Sequence, residues 1–181
     1  MIEVKKHSAL YWKWRLFRSK ILQIRSFFVY LFYALPRNYY LVKKYPFLRP
    51  SQGYGTDMEW WKPGYHYHYE ETWLDDMPSG WRKAFGLQMC QEIQDVIDRD
   101  HITDYSVSQV KEKFGYLCWY DNGGNRAIQD IISKYEKIST QTCMFCGRPA
   151  EYVTRGWIGY YCGECIKSFR PGSYTGLHEN H

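Results

Sequence analysis

Between Leu10 and Leu35 the apolar residues Leu10, Trp14, Phe17, Ile21, Ile24, Phe28, Leu31 and Leu35 recur at alternating spacings of four and three. That rhythm sets all eight on one stripe of an α-helix. It predicts a long N-terminal amphipathic helix that Pro36 ends, because proline brings no N–H to the ladder. From Phe27 onward the run FFVYLFYAL is apolar on every side. It is much shorter than the roughly 20 residues a hydrocarbon core requires, so no membrane crossing is expected. Residues 36–64 mix prolines and glycines with tyrosines and tryptophans, which predicts an irregular, aromatic-pinned connection with little regular structure and a domain boundary near residues 51–56.

A second helical rhythm follows. The turn-like stretch TWLDDMPSG leads into Trp81, Phe85, Met89, Ile93, Val96 and Ile97, one face of a helix expected from about Gly80 to Arg99. Asp95, Asp98 and Asp100 fall at its end, where acids oppose the helix dipole, so they are read as solvated or as serving something other than the helix. The period then changes. Over residues 106–121, Val107, Gln109, Lys111 and Lys113 alternate with Ser108, Val110 and Glu112, and after Phe114-Gly115 the residues Leu117 and Trp119 stand opposite Tyr116, Cys118 and Tyr120. Two strands joined by a bend or bulge, in a possible hairpin arrangement, fit this pattern. Beyond Asn122-Gly123-Gly124, Asn125 can cap a helix to about Ser139 with Ala127, Ile128, Ile131, Ile132, Tyr135 and Ile138 inward.

Composition narrows the class. A chain of 181 residues suits one compact core with a small appendage, and 45% hydrophobic with 19% aromatic residues excludes a disordered chain. The net charge of +5 conceals an asymmetry: residues 1–50 hold 11 Lys or Arg against the single acid Glu3, and residues 51–181 hold 13 against 18. Such a split suggests that the N-terminal segment meets an anionic surface, which can be nucleic acid, lipid headgroups or an acidic protein face. The expected footprint is Lys13, Arg15, Arg18, Lys20, Arg25, Lys43 and Lys44, since cations interleaved with aromatics can track phosphates and stack on bases. A basic amphipathic helix equally suits a membrane surface or a partner's acidic groove. The plain alternative is a helix that packs its stripe on the domain and leaves a solvated basic face.

The cysteines carry the sharpest signal. Cys143-Met-Phe-Cys146 is followed by Gly147, and Cys162-Gly-Glu-Cys165 comes next, at the separation of four-cysteine zinc sites. Zinc takes a tetrahedron of thiolates at about 2.3 Å, and each Cys-x2-Cys knuckle offers two of them. One zinc ion is therefore expected, and it is expected to be structural, because four thiolates leave no position for an activated water. Between the pairs, EYVTRGWIGYY has the makings of a two-stranded ribbon, and Ile166-Lys-Ser-Phe can begin a short helix, so a zinc ribbon and a treble clef both remain open. Cys90 and Cys118 sit apart in apolar stretches and read as small buried hydrophobes. With no secretory signal at the N-terminus, a cytoplasmic setting is expected.

Other candidates are weaker. His66 and His68 would share one face of a strand but lack a spaced partner, and Asp75, Asp76 and Glu112 have nothing in the sequence to bring them together. A Walker loop, a GxSxG elbow, an HExxH helix and a dinucleotide-binding turn are all missing, so a non-enzymatic protein is expected, with no catalytic residue assigned.

The segments WLDDMPSGWRKAFG, QVKEKFGYLCWYDNGG and TCMFCGRPA resemble a widespread group of small uncharacterised proteins of bacteria and their phages, over roughly residues 70–166. In that group a Q-[VI]-K-E-K-F-G segment precedes a helix and a Cys-x2-Cys module. Gln109, Lys111, Glu112, Lys113, Phe114 and Gly115 match it, as does Leu117, while Cys118 stands where the group frequently has arginine. The resemblance implies a phage or mobile-element origin and brings no activity with it.

The sequence thus predicts an α+β fold: a basic aromatic helix and arm over 1–50, an α+β core over 51–140, a four-cysteine zinc module over 141–170 and a tail over 171–181. The expected function is binding of nucleic acid or a host nucleoprotein, for instance as an inhibitor of host defence such as an RNA-guided nuclease. A peripheral membrane or virion-associated interaction protein, docked through the N-terminal helix, and an enzyme of unfamiliar chemistry are the other readings. The oligomeric state is left open.

Overall fold

A computed structural model describes Phe28, Phe32 and residues 34–50 and 71–177. Most of the expected N-terminal helix and the boundary near residues 51–56 lie outside the described residues.

The first described helix corrects the reading of Pro36. Helix α1 spans Leu35–Lys44 with the proline in its first turn, where an N–H is not needed and the fixed φ already suits the helix. Of the stretch 36–64, for which the sequence predicts little regular structure, residues 36–50 are described and are not irregular. Instead α1 is followed by a single 3-10 turn, Pro46–Leu48, and Tyr45, Phe47 and Leu48 are buried in the core. Phe28, on the predicted apolar stripe, is half exposed.

The centre of the fold is one nearly continuous helix. It begins with the turn Ser79–Trp81, widens to a π-type turn at Arg82–Gly86 and continues as α2, Leu87–Asp100. Trp81, Phe85, Met89, Cys90, Ile93 and Val96 are buried along it, the face the sequence predicts. Helix α3, Arg126–Ser139, packs against α2. Its N-cap is Asn125, whose Oδ1 accepts the Ile128 N–H at 3.1 Å. The two helices are tied by Glu92, which accepts from Lys134 Nζ at 2.7 Å and from Tyr135 Oη at 2.8 Å. The acids at the end of α2 also find partners. Asp95 and Asp98 accept from Gln91 and Gln94 one turn back, and Asp100 joins Arg99 to Asn125, the cap of α3.

Strands β1, Ser106–Lys113, and β2, Tyr116–Asn122, form an antiparallel hairpin whose register slips between Val107 and Gln109. This bulge explains why Val107 and Val110, three apart, are both buried: the extra residue moves the strand to the opposite phase. Simple alternation over the segment fails there. The hairpin turn is Phe114-Gly115, with both residues at positive φ (53° and 77°). That geometry twists with the strands but strains a phenylalanine by roughly 1–2 kcal/mol. Glu112 offsets the strain in part by accepting the Gly115 N–H in its side-chain carboxylate.

Ahead of the central helix, the 3-10 turn Trp73–Asp76 holds the node that fixes α1. Asp75 Oδ1 accepts from Arg37 and, at 2.7 Å, from Arg82, while Oδ2 accepts the Thr72 N–H at 2.8 Å. One carboxylate therefore joins three segments. Asp75→Ala takes the carboxylate from two partly buried guanidinium groups, leaving Arg37 with Asn38 Oδ1, and we expect a loss of about 2 kcal/mol, readable as a lower urea midpoint at unchanged m-value.

The C-terminal lobe is a three-stranded sheet of order β4-β3-β5, from β3 Tyr152–Thr154, β4 Tyr160–Tyr161 and β5 Tyr174–Gly176, all antiparallel. The sequence predicts only the first two. The sequence predicts a tail over 171–181, yet β5 lies there, because three residues are too few for any periodicity to register. Cys143, Met144, Tyr161, Cys162 and Ile166 belong to the same buried cluster as the helices and the hairpin.

Candidate metal centre

Each cysteine pair is placed by its own knuckle. The first is held by Cys143 N–H to Arg148 O at 2.7 Å, Gly147 N–H to Cys143 O at 3.0 Å and Met144 N–H to Tyr160 O at 3.0 Å. Gly147, at φ 83°, makes the left-handed turn after it. The second knuckle leaves β4 at Tyr161, and Cys165 opens a 3-10 turn, Cys165–Ser168. Glu151 steadies it by accepting the Gly163 N–H at 2.9 Å.

The two knuckles meet. The sulfurs of Cys143, Cys146, Cys162 and Cys165 all lie within 4.8 Å of one another, and the Cys146–Cys162 pair is 3.6 Å apart. A tetrahedron with 2.3 Å metal–sulfur bonds has sulfurs about 3.8 Å apart, whereas a disulfide brings them to about 2.05 Å. All four cysteines are free. The donor set therefore fits a metal ion, with Cys143 and Cys162 buried and Cys146 and Cys165 partly exposed.

Electrostatics point the same way. The Arg148 guanidinium, whose Nε lies 3.4 Å from Cys146 Sγ, holds that thiol down to about 6. Burial and the neighbouring sulfurs push Cys165 up to about 12. A Cys146 thiol eased toward the thiolate by a neighbouring cation is in the form that ligates a metal. Sequence reasoning did not single out Arg148 or Glu151. A cation two residues past a knuckle cysteine was the available signal for the first, and nothing marked the second.

The site is also locked to the central helix. Gly80 N–H donates to Met144 O at 2.8 Å, Ser79 Oγ to Phe145 O at 3.0 Å, and the buried Trp81 Nε1 to Thr142 O at 3.1 Å. The backbones approach so closely that a Cβ on Gly80 would fall 2.0 Å from Cys143 O.

The other predicted residues are dispersed. Lys13, Arg15, Arg18, Lys20 and Arg25, and also His66 and His68, lie outside the described residues. Lys43 and Lys44 are exposed in the last turn of α1, each with its ammonium over a tyrosine ring, Tyr39 and Tyr45 respectively. Asp75 and Glu112 are engaged as described above, and burial raises the Asp76 carboxyl, with Asp75 adding to it. Cys90 is fully buried as expected, but Cys118 is only half-buried, because it faces outward from β2. Among the described residues no helix is long and apolar enough to cross a membrane.

The fold and site define an α+β protein whose C-terminal lobe is built around a four-cysteine cluster able to hold a metal ion. No protein-family model, curated protein or solved structure matches the chain.

Proposed function

We propose that this is a zinc-stabilised, non-enzymatic binding protein of phage or mobile-element origin whose ligand is nucleic acid or a host nucleoprotein. Cys143, Cys146, Cys162 and Cys165 would hold the zinc, which supplies a cross-link and no open coordination position. Their convergence within 4.8 Å, with no disulfide among them, is the observation that carries the metal. The order of first knuckle, hairpin and short helical turn bearing the last ligand is that of a treble clef, with a 3-10 turn in place of the helix. Nucleic acid is favoured by the concentration of positive charge in residues 1–50 and by the exposure of Lys43 and Lys44. Blocking a host-defence nucleoprotein, such as an RNA-guided nuclease, is one form the activity would take.

A salt titration of oligonucleotide binding by the full chain tests this. Each phosphate-contacting cation replaced by Gln among Lys13, Arg15, Arg18, Lys20, Arg25, Lys43 and Lys44 should flatten the log–log salt slope by about 0.7 to 0.9. Unchanged slopes would remove the footprint. Flotation with anionic liposomes in place of oligonucleotide binding would transfer the basic segment to a membrane surface.

A further inference from the structure

Among the described residues, the outer face of the β1–β2 hairpin lies outside the buried core. Past the bulge, Gln109, Lys111 and Lys113 of β1 stand opposite Tyr120, Cys118 and Tyr116 of β2. No acid occurs among these six. Tyr116 and Tyr120 are exposed, and Phe114 at the tip is 71% exposed. The one acid at this end, Glu112, is turned to the Gly115 amide. The strained backbone of Phe114 thus holds a large ring in water, a feature that folding alone does not favour.

The tip of this hairpin touches the tip of the metal-binding lobe. A Cβ on Gly115 would lie 2.8 Å from the Tyr160 ring and 3.2 Å from Ile158 Cγ2, so the two turns abut with no room for a side chain. Phe114 on one side of that junction and Trp157 on the other adjoin the touching residues in sequence, and Trp157 is 82% exposed. Arg155, also exposed, belongs to the same turn.

Cations accompany the rings. Lys111 Nζ is 5.1 Å from the Tyr120 ring centroid, and Lys113 Nζ is 5.8 Å from that of Phe114. A flat apolar face with a positive charge beside it matches a nucleotide, which presents a base and, one sugar away, a phosphate. In a duplex the base faces are covered by their neighbours, so exposed rings favour a single strand. A protein partner would also use rings as anchors. The repeated pairing of ring with cation and the lack of any acid on the face fit an alternating chain of bases and phosphates better.

We propose that the outer face of the β1–β2 hairpin and its junction with the lobe tip bind single-stranded nucleic acid. Bases stack on Phe114, Trp157 and Tyr116, and Lys111, Lys113 and Arg155 neutralise phosphates. The inference rests on the nucleic-acid reading above and adds this face to the N-terminal footprint as the place where bases are held.

The test uses the full chain and fluorescence anisotropy with a labelled oligothymidylate and a duplex of equal length. The wild type should prefer the single strand. Phe114→Asn with Trp157→Ser should weaken that binding at least about tenfold with an unchanged melting temperature, since Asn accepts the left-handed backbone and both rings are exposed. Lys111→Gln with Lys113→Gln should lower the salt slope by about 1.4. If the ring variant binds as well as wild type and only the N-terminal cations matter, this site is wrong and the broader reading stands. A preference for duplex overturns the site in the same way. If wild type binds neither oligonucleotide, both fall.

Discussion

Stripping the proposed zinc, by chelation or by Cys143→Ser, is expected to unfold the C-terminal lobe and to lower the melting temperature of the described core by at least about 10 °C. Structural zinc in small modules contributes on the order of 10 kcal/mol, a figure comparable to the whole stability of a domain of this size. A loss of about 5 kcal/mol already corresponds to a shift of about 10–20 °C. The effect should reach beyond the lobe because the first knuckle is bonded to the helix start at Gly80, Ser79 and Trp81. Trp81 is fully buried, so near-ultraviolet circular dichroism, dominated by tryptophan, should collapse together with the loss of zinc in elemental analysis. Retention of the native signal in metal-free protein would show that the four sulfurs do not hold the fold together.

The second large effect needs no change at a cysteine. Gly80→Ala places a methyl group 2.0 Å from Cys143 O and 2.7 Å from the Met144 carbonyl carbon, both backbone atoms of the knuckle that cannot swing aside. We expect destabilisation of about 3 kcal/mol, the upper end of overpacking costs. A weaker hold on the metal should accompany it, seen as faster transfer to a chromogenic chelator. Gly86→Ala is the control. That glycine has ordinary helical angles (φ −53°, ψ −47°), and its nearest neighbour outside the turn is Leu74 Cδ2 at 3.5 Å. Alanine there should be neutral or stabilising by up to about 1 kcal/mol. Equal losses at both positions would mean that the close approach at Gly80 is not what matters.

How much of this was legible in the sequence depended on the range of the physics involved. The faces of α2 and α3 follow from a 3.6-residue rhythm in which Met89, Ile93, Ile128, Ile132 and Tyr135 are buried, and the four ligands follow from spacing alone. Both are local. The bulge that lets Val107 and Val110 share a face leaves no mark in the residue types, since Ser108 is unremarkable. Pro36 misleads because its effect depends on its place in a helix, and nothing before it in the sequence fixes where the first turn begins. Asp75 had a visible acid but invisible partners, for Arg37 lies 38 residues away. Gly80 looked like a turn glycine at a helix start. Its reason for being glycine, the backbone of Cys143, is contributed from the far end of the chain.

That last contact sets a timetable for biosynthesis. A ribosome makes the polypeptide from its N-terminus, so Trp81 emerges well before Thr142, the acceptor of its indole N–H, and before Cys162 and Cys165, which complete the sulfur cluster. Until those residues leave the exit tunnel the fully buried indole of Trp81 lacks its anchor. A nascent chain that stops short of Thr142 therefore cannot make the bond that ties the central helix to the first cysteine knuckle, and one that stops short of Cys165 cannot close the sulfur cluster.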